Sequence, residues 1–60
     1  MNTFYLILDA TTGAELCKTD VWRVALIAAR GITAELGYAT EVLDLDGEVA
    51  YTAHPEAVTR

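Results

Sequence analysis

The chain contains one cysteine, Cys17, and one histidine, His54, among its 60 residues. A single cysteine cannot form a disulfide within the chain, and one Cys with one His cannot complete a structural zinc site. A domain of this size buries only about 60% of the surface that its unfolded chain exposes. The fold must therefore be held by apolar packing, with help from a second copy or a partner.

Apolar residues are in surplus for so small a chain. They make up 53% of the sequence, against about 45–50% in typical domains on a count that also includes glycine. A surplus without a disulfide or a metal favours a face that another protein covers, and we expect a homodimer.

The first half of the chain predicts a hairpin. Residues 4–8 are apolar at both parities, which is typical of a strand that is covered on both faces or lies at the centre of a sheet. Gly13 can take a positive φ in the following turn, and residues 14–18 form the returning strand at an edge, where Lys18 discourages further pairing. Thr19 or Asp20 is expected to cap the next helix.

Helical spacing of apolar residues continues from Val21 to Leu36. The stripe consists of Val21, Ala25, Ala28, Ala29, Ile32 and Leu36, with Trp22 and Leu26 beside it. Gly31 inside the helix predicts a kink or a close packing contact. Gly37 is expected to end the helix at the C′ position.

Residues 39–45 and 48–53 predict a second hairpin around Asp46 and Gly47. Its turn resembles that of the first hairpin, which indicates the same turn chemistry used twice. The fold class is therefore α+β, in the order β-β-α-β-β, with a four-stranded, mostly antiparallel sheet and one helix on one face. Residues 1–54 form a single domain, and residues 55–60 are expected to be a mobile tail.

Acidic residues cluster in the second hairpin. The cluster consists of Glu41, Asp44, Asp46 and Glu48. Residues 1–30 hold three acids and three bases, whereas residues 31–60 hold six acids and one base, so the second half carries the whole net charge of −5. If strand pairing continues to the turn, Asp44 and Asp46 share one face about 6.6 Å apart. We expect this cluster either to bind a basic partner or to serve solubility alone.

Three further residues are candidates for an interface. Arg23 and Arg30 lie seven residues apart on the outer helical face, and Tyr51 is one of the aromatic residues that can anchor a contact. The two arginines either form an ordinary solvated face or meet Glu41 or Glu48 of a second copy.

No motif predicts catalysis. Residues 42–47, Val-Leu-Asp-Leu-Asp-Gly, resemble the nucleophile motif of the haloalkanoate-dehalogenase superfamily, in which two aspartates work beside Mg²⁺. Only 13 residues follow Gly47, and Glu48 stands where that family has Thr or Val, so its doubly wound sheet cannot fit. The EF-hand spacing is also absent, and nothing in the sequence brings Cys17 and His54 together. We predict no enzyme, no cofactor and no metal site, with Cys17 as a structural residue.

Function classes follow from size and charge. The chain lacks the basic residues that nucleic-acid binding requires, and it has no secretory signal or membrane span, so a cytoplasmic protein is expected. It resembles, in size and charge alone, phage-encoded inhibitors of host defence, including anti-CRISPR proteins. That resemblance implies mimicry of nucleic acid on the basic surface of a nucleic-acid-binding protein, in the host cytoplasm. The alternative is a homo-oligomeric structural or regulatory domain.

Overall fold

The structure, a computed structural model, describes residues 3–55. Four strands and one helix follow in the predicted order: β1 (Tyr5–Asp9), β2 (Glu15–Thr19), α1 (Trp22–Leu36), β3 (Thr40–Leu43) and β4 (Val49–Ala53). The α+β class and the β-β-α-β-β order are confirmed. Residues 56–60 of the predicted tail lie outside the described residues.

The four strands form one antiparallel sheet in the order β2-β1-β3-β4. The predictions of a central first strand and an edge second strand are both confirmed. Ile7 pairs with Cys17 on one side and with Val42 on the other, and Val42 pairs in turn with Tyr51. These four side chains form one row across the sheet, on the face that α1 covers.

The core is small and built largely from short side chains. Among the described residues, the buried apolar ones are Ile7, Ala25, Ala29, Val42 and Ala53. The alanines at positions 25 and 29 let the helix backbone approach the sheet closely, which is the packing that the helical stripe predicted. The prediction that both ends of that stripe face the core was wrong, because Val21 is 49% exposed and Leu36 is 55% exposed. Both lie beyond the area of sheet that the helix can cover.

A pair of threonines fills the core position that the apolar stripe leaves open. Thr33 on α1 and Thr40 on β3 are both buried, and their hydroxyl oxygens lie 2.9 Å apart. Thr40 donates to the carbonyl of Ala29 at 3.0 Å. Since each hydroxyl has one hydrogen, Thr33 donates either to Thr40 or to the carbonyl of Ala53, which lies at 3.4 Å. The shorter distance favours Thr40. The pair therefore joins helix to sheet, and both of its hydroxyls have hydrogen-bond partners.

The helix ends differ from prediction at one terminus and agree at the other. The N-cap is Val21, which makes no side-chain cap bond, so the predicted caps at Thr19 and Asp20 were wrong. Thr19 instead accepts a bond from the backbone N–H of Val21 at 3.2 Å, which turns the chain before the helix begins. Gly37 ends the helix with φ 79°, as predicted. Gly31 is exposed and a Cβ there would meet nothing within 4 Å, so the expected close contact is absent.

Candidate functional site

The loop between β3 and β4 is held closed by four hydrogen bonds around Asp44. One carboxylate oxygen of Asp44 accepts from the backbone N–H of Asp46 at 2.9 Å and from that of Glu48 at 3.0 Å. The backbone N–H of Asp44 donates to the carbonyl of Glu48 at 2.7 Å, and Gly47 donates to the carbonyl of Asp44 at 3.0 Å. Gly47 makes the loop possible, because its φ of 85° is one that side chains disfavour.

The first hairpin repeats this arrangement, as its sequence predicted. A carboxylate oxygen of Asp9 accepts from the backbone N–H groups of Thr11 at 2.7 Å and Thr12 at 3.3 Å. Gly13, with φ 78°, donates to the carbonyl of Asp9 at 2.7 Å. Each loop therefore begins with an aspartate whose side chain organises the turn. Asp44 is thus first of all a turn residue.

The four acids predicted to bind a partner occupy three different settings. Glu41 is half-buried on β3, where it pairs with Leu8 and Thr52. Asp44 is half-buried at the start of the loop, whereas Asp46 and Glu48 are exposed on it. The predicted row of strand carboxylates is wrong, because β3 ends at residue 43 and β4 begins at residue 49. Strand pairing ends before Asp44, because the turn hydrogen bonds of its carboxylate begin there.

Among residues 3–55 no second helix or strand covers the sheet face opposite α1, and this face carries leucines beside Lys18 and Glu41. Leu6 pairs with Lys18 on β2 and with Leu43 on β3, and Leu43 pairs with Val49 on β4. Leu6, Lys18 and Leu43 are each one position away from a core-row residue on their own strand, so they lie on the other face. Val49 pairs with Leu43 across a register shift. Val49 is 52% exposed. On the same side the ammonium of Lys18 lies 5.2 Å from the ring centre of Phe4.

Two of the three candidate interface residues come together. The guanidinium Nε of Arg30 donates to the phenolic oxygen of Tyr51 at 3.3 Å, linking α1 to β4. A groove of about 670 Å³ lies beside this contact, and His54 also lines it. Arg23 lies two helical turns away on α1, about 10 Å along the axis, and is exposed. Sequence reasoning missed the groove, since only the packing of α1 against β4 brings these residues together.

The thiol of Cys17 is free and half-buried. Burial, together with the negative charge of nearby Glu15, raises the pKa of its thiol, which lowers the thiolate fraction at neutral pH. Cys17 lies on edge strand β2, whereas His54 follows the opposite edge strand, three strand spacings or about 14 Å away. The two groups therefore cannot act as a nucleophile and its base. Within residues 3–55, no three metal-ligating side chains cluster.

No protein-family model, curated protein or solved structure matches this chain. In the part of the chain that the structure describes, α1 is not long and apolar enough to cross a membrane.

Proposed function

We propose that this chain is a non-enzymatic binding protein whose acidic loop, residues 44–48, docks on a basic surface of a partner protein. The observation that carries this proposal is that one loop acid holds the turn while the other two are exposed to solvent. Asp44 fixes the loop from inside, while Asp46 and Glu48 project from it exposed. A loop ordered before binding loses little conformational entropy when a partner arrives, so its charges act from fixed positions.

The charge distribution supports the same proposal. Residues 31–59 contain no lysine or arginine, and the chain as a whole carries a net charge of −5. A surface of one sign raises the rate at which an oppositely charged partner is encountered, and it selects against acidic competitors. The loop lies in that uniformly acidic half.

A partner that itself handles nucleic acid fits this chemistry best. Such proteins bind phosphate through clustered lysine and arginine side chains, and fixed carboxylates compete for the same groups. We place the chain with phage-type inhibitors of defence or nucleic-acid-handling machinery, acting in the cytoplasm. In this proposal the chain inhibits its partner by occupying the partner's basic surface, and it does not itself bind nucleic acid.

The test is capture of partners from a cell lysate by immobilised protein, followed by binding kinetics with the captured protein. Asp46→Lys with Glu48→Lys should weaken binding at least tenfold at low salt, mostly through slower association, because like charges then face each other. Asp44 is kept, so that the loop stays closed. Arg23→Glu, which adds an acid on the helix, is the matched control and should leave the affinity within about twofold.

Salt separates this function from apolar association. Raising ionic strength from about 0.05 to 0.5 M shortens the Debye length severalfold, so a steered association rate should fall steeply. Unchanged affinity of the reversed loop, or a salt-independent association rate, would contradict recognition through the loop.

A second candidate, a homo-oligomeric structural or regulatory domain, is favoured by the uncovered sheet face. Four strands of about five residues give this face a footprint of about 19 by 17 Å. That is small against the roughly 800 Å² per partner of a standard stable interface, so a dimer formed there should dissociate in the micromolar range.

Light scattering across that range tests the dimer. Twice the chain mass of 6.5 kDa at high concentration, reduced to one chain mass by Val49→Lys, would support it. A monomer at every concentration, with a cooperative melt, would exclude it.

A further inference from the structure

The groove beside Arg30 lies between the C-terminal halves of α1 and β4. Arg30, Ala34 and Gly37 line its helix side. Tyr51, Ala53 and His54 line its strand side. Its volume of about 670 Å³ falls within the range of about 300–1,000 Å³ that is usual for ligand clefts. The small residues leave the space, and the larger ones supply polar groups at its border.

The charge of the groove is opposite to that of the molecule. Among the described residues that line it, Arg30 is positively charged and none is acidic, although the chain has a net charge of −5. The Nε of Arg30 is engaged by the Tyr51 hydroxyl. This bond orients the guanidinium, whose two terminal nitrogens carry four more N–H groups suited to a carboxylate.

The groove also borders the outer edge of β4, with which no other described strand pairs. β4 is the last strand of the sheet, and its residues Val49–Ala53 include no charge and no proline. The other edge strand, β2, exposes Glu15 and Lys18, which discourage pairing. The register of β4 shifts next to Val49, so the regular part of its edge is the part beside the groove.

We propose that this groove binds an extended peptide segment bearing a carboxylate, which adds to the sheet as a fifth strand along β4. Tyr51 and Ala53 lie on the helix side of β4, where they join the core. A strand added beside them places every second side chain on that same side. An Asp or Glu side chain there, or a terminal carboxylate, meets the Arg30 guanidinium. The main-chain bonds supply affinity and the carboxylate supplies selectivity.

Two other occupants fit less well. A nucleic acid or another polyanion would meet the acidic second half of the chain, whereas a single carboxylate on a peptide would not accumulate that repulsion. A second copy that paired through its own β4 would bring the register shift at its Val49 into the new ladder. A bulge of this kind disrupts strand pairing. A separate unbulged peptide avoids that defect.

The experiment is an NMR titration of the full chain with synthetic peptides. The probe is a blocked seven-residue peptide of alternating valine and threonine with one central glutamate, and its matched control carries glutamine instead. We expect amide shifts at Tyr51–His54, and a glutamate peptide that binds at least fivefold more tightly than the glutamine peptide. Arg30→Gln should reduce that ratio below twofold, while Arg23→Gln on the same helix should preserve it.

Changes on the peptide test strand addition without altering the protein. A peptide with alternate amides N-methylated cannot complete the ladder and should lose at least tenfold in affinity. Shifts centred on β2, equal binding of both peptides, or full affinity of the methylated peptide would overturn the proposal. So would acetate alone reproducing the whole shift pattern, or the same shifts appearing on concentration without peptide, which would indicate an anion site or self-pairing. None of these outcomes bears on binding through the acidic loop, because the loop variants lie before β4 and outside the groove.

Discussion

Replacing Asp44 by alanine should destabilise the fold far more than replacing Asp46, although both are loop acids two residues apart. The Asp44 carboxylate accepts two backbone hydrogen bonds, at 2.9 and 3.0 Å. Each such bond contributes about 0.5–1.5 kcal/mol in net terms. Water can replace part of this in a half-buried site, so we expect a loss of about 1–2 kcal/mol.

Thermal unfolding followed by circular dichroism measures this difference. In a domain of this size about 1 kcal/mol shifts the midpoint by about 4–8 °C, so Asp44→Ala should melt roughly 5–15 °C below the wild type. Asp46→Ala, whose side chain is exposed, should change stability by less than about 0.5 kcal/mol. Asp44→Asn retains the accepting oxygen and should lie close to the wild type.

The outcome that would refute this reasoning is equal melting of the two alanine variants. The loop would then be held by its backbone bonds and by Gly47 alone. An Asp44→Asn variant as unstable as Asp44→Ala would instead show that charge, and not the hydrogen-bond geometry, holds the turn.

Three further measurements test the fold around the candidate sites. Thr33→Val and Thr40→Val should each cost about 0.5–2 kcal/mol, yet the double variant should cost less than their sum, because either single substitution already removes the bond between the two hydroxyls. Additive costs in urea unfolding would contradict that 2.9 Å bond. The raised pKa of Cys17 lowers its thiolate fraction at any given pH, so iodoacetamide should modify it more slowly than free cysteine at pH 8, and equal rates would contradict its burial. Gly31→Ala should raise the free energy of unfolding by about 0.5–1 kcal/mol, since a Cβ there meets nothing within 4 Å; a destabilised variant would show that the position needs glycine.

Much of the fold follows from local chemistry that is legible in the sequence. Glycine at positions 13, 37 and 47 takes a positive φ in each case, and only glycine does so without strain. These glycines divide the chain into a hairpin, a helix and a second hairpin, and the apolar periods between them name each element. The aspartate before each hairpin glycine adds turn bonds within a few residues. All of these interactions act between near neighbours, so no knowledge of the tertiary structure is needed to predict them.

Tertiary structure decided what depends on contacts between elements. The apolar pattern placed Leu36 in the core, but α1 ends beyond the sheet there and the buried position is Thr33. The groove at Arg30 exists only because Tyr51, twenty-one residues later, is brought against the helix by the pairing of β3 with β4. Strand order and register arise from the packing of all elements at once, and their spacing along the chain does not encode them. The sequence therefore determined the elements and the charge, while the packed structure determined which side chains are free to bind.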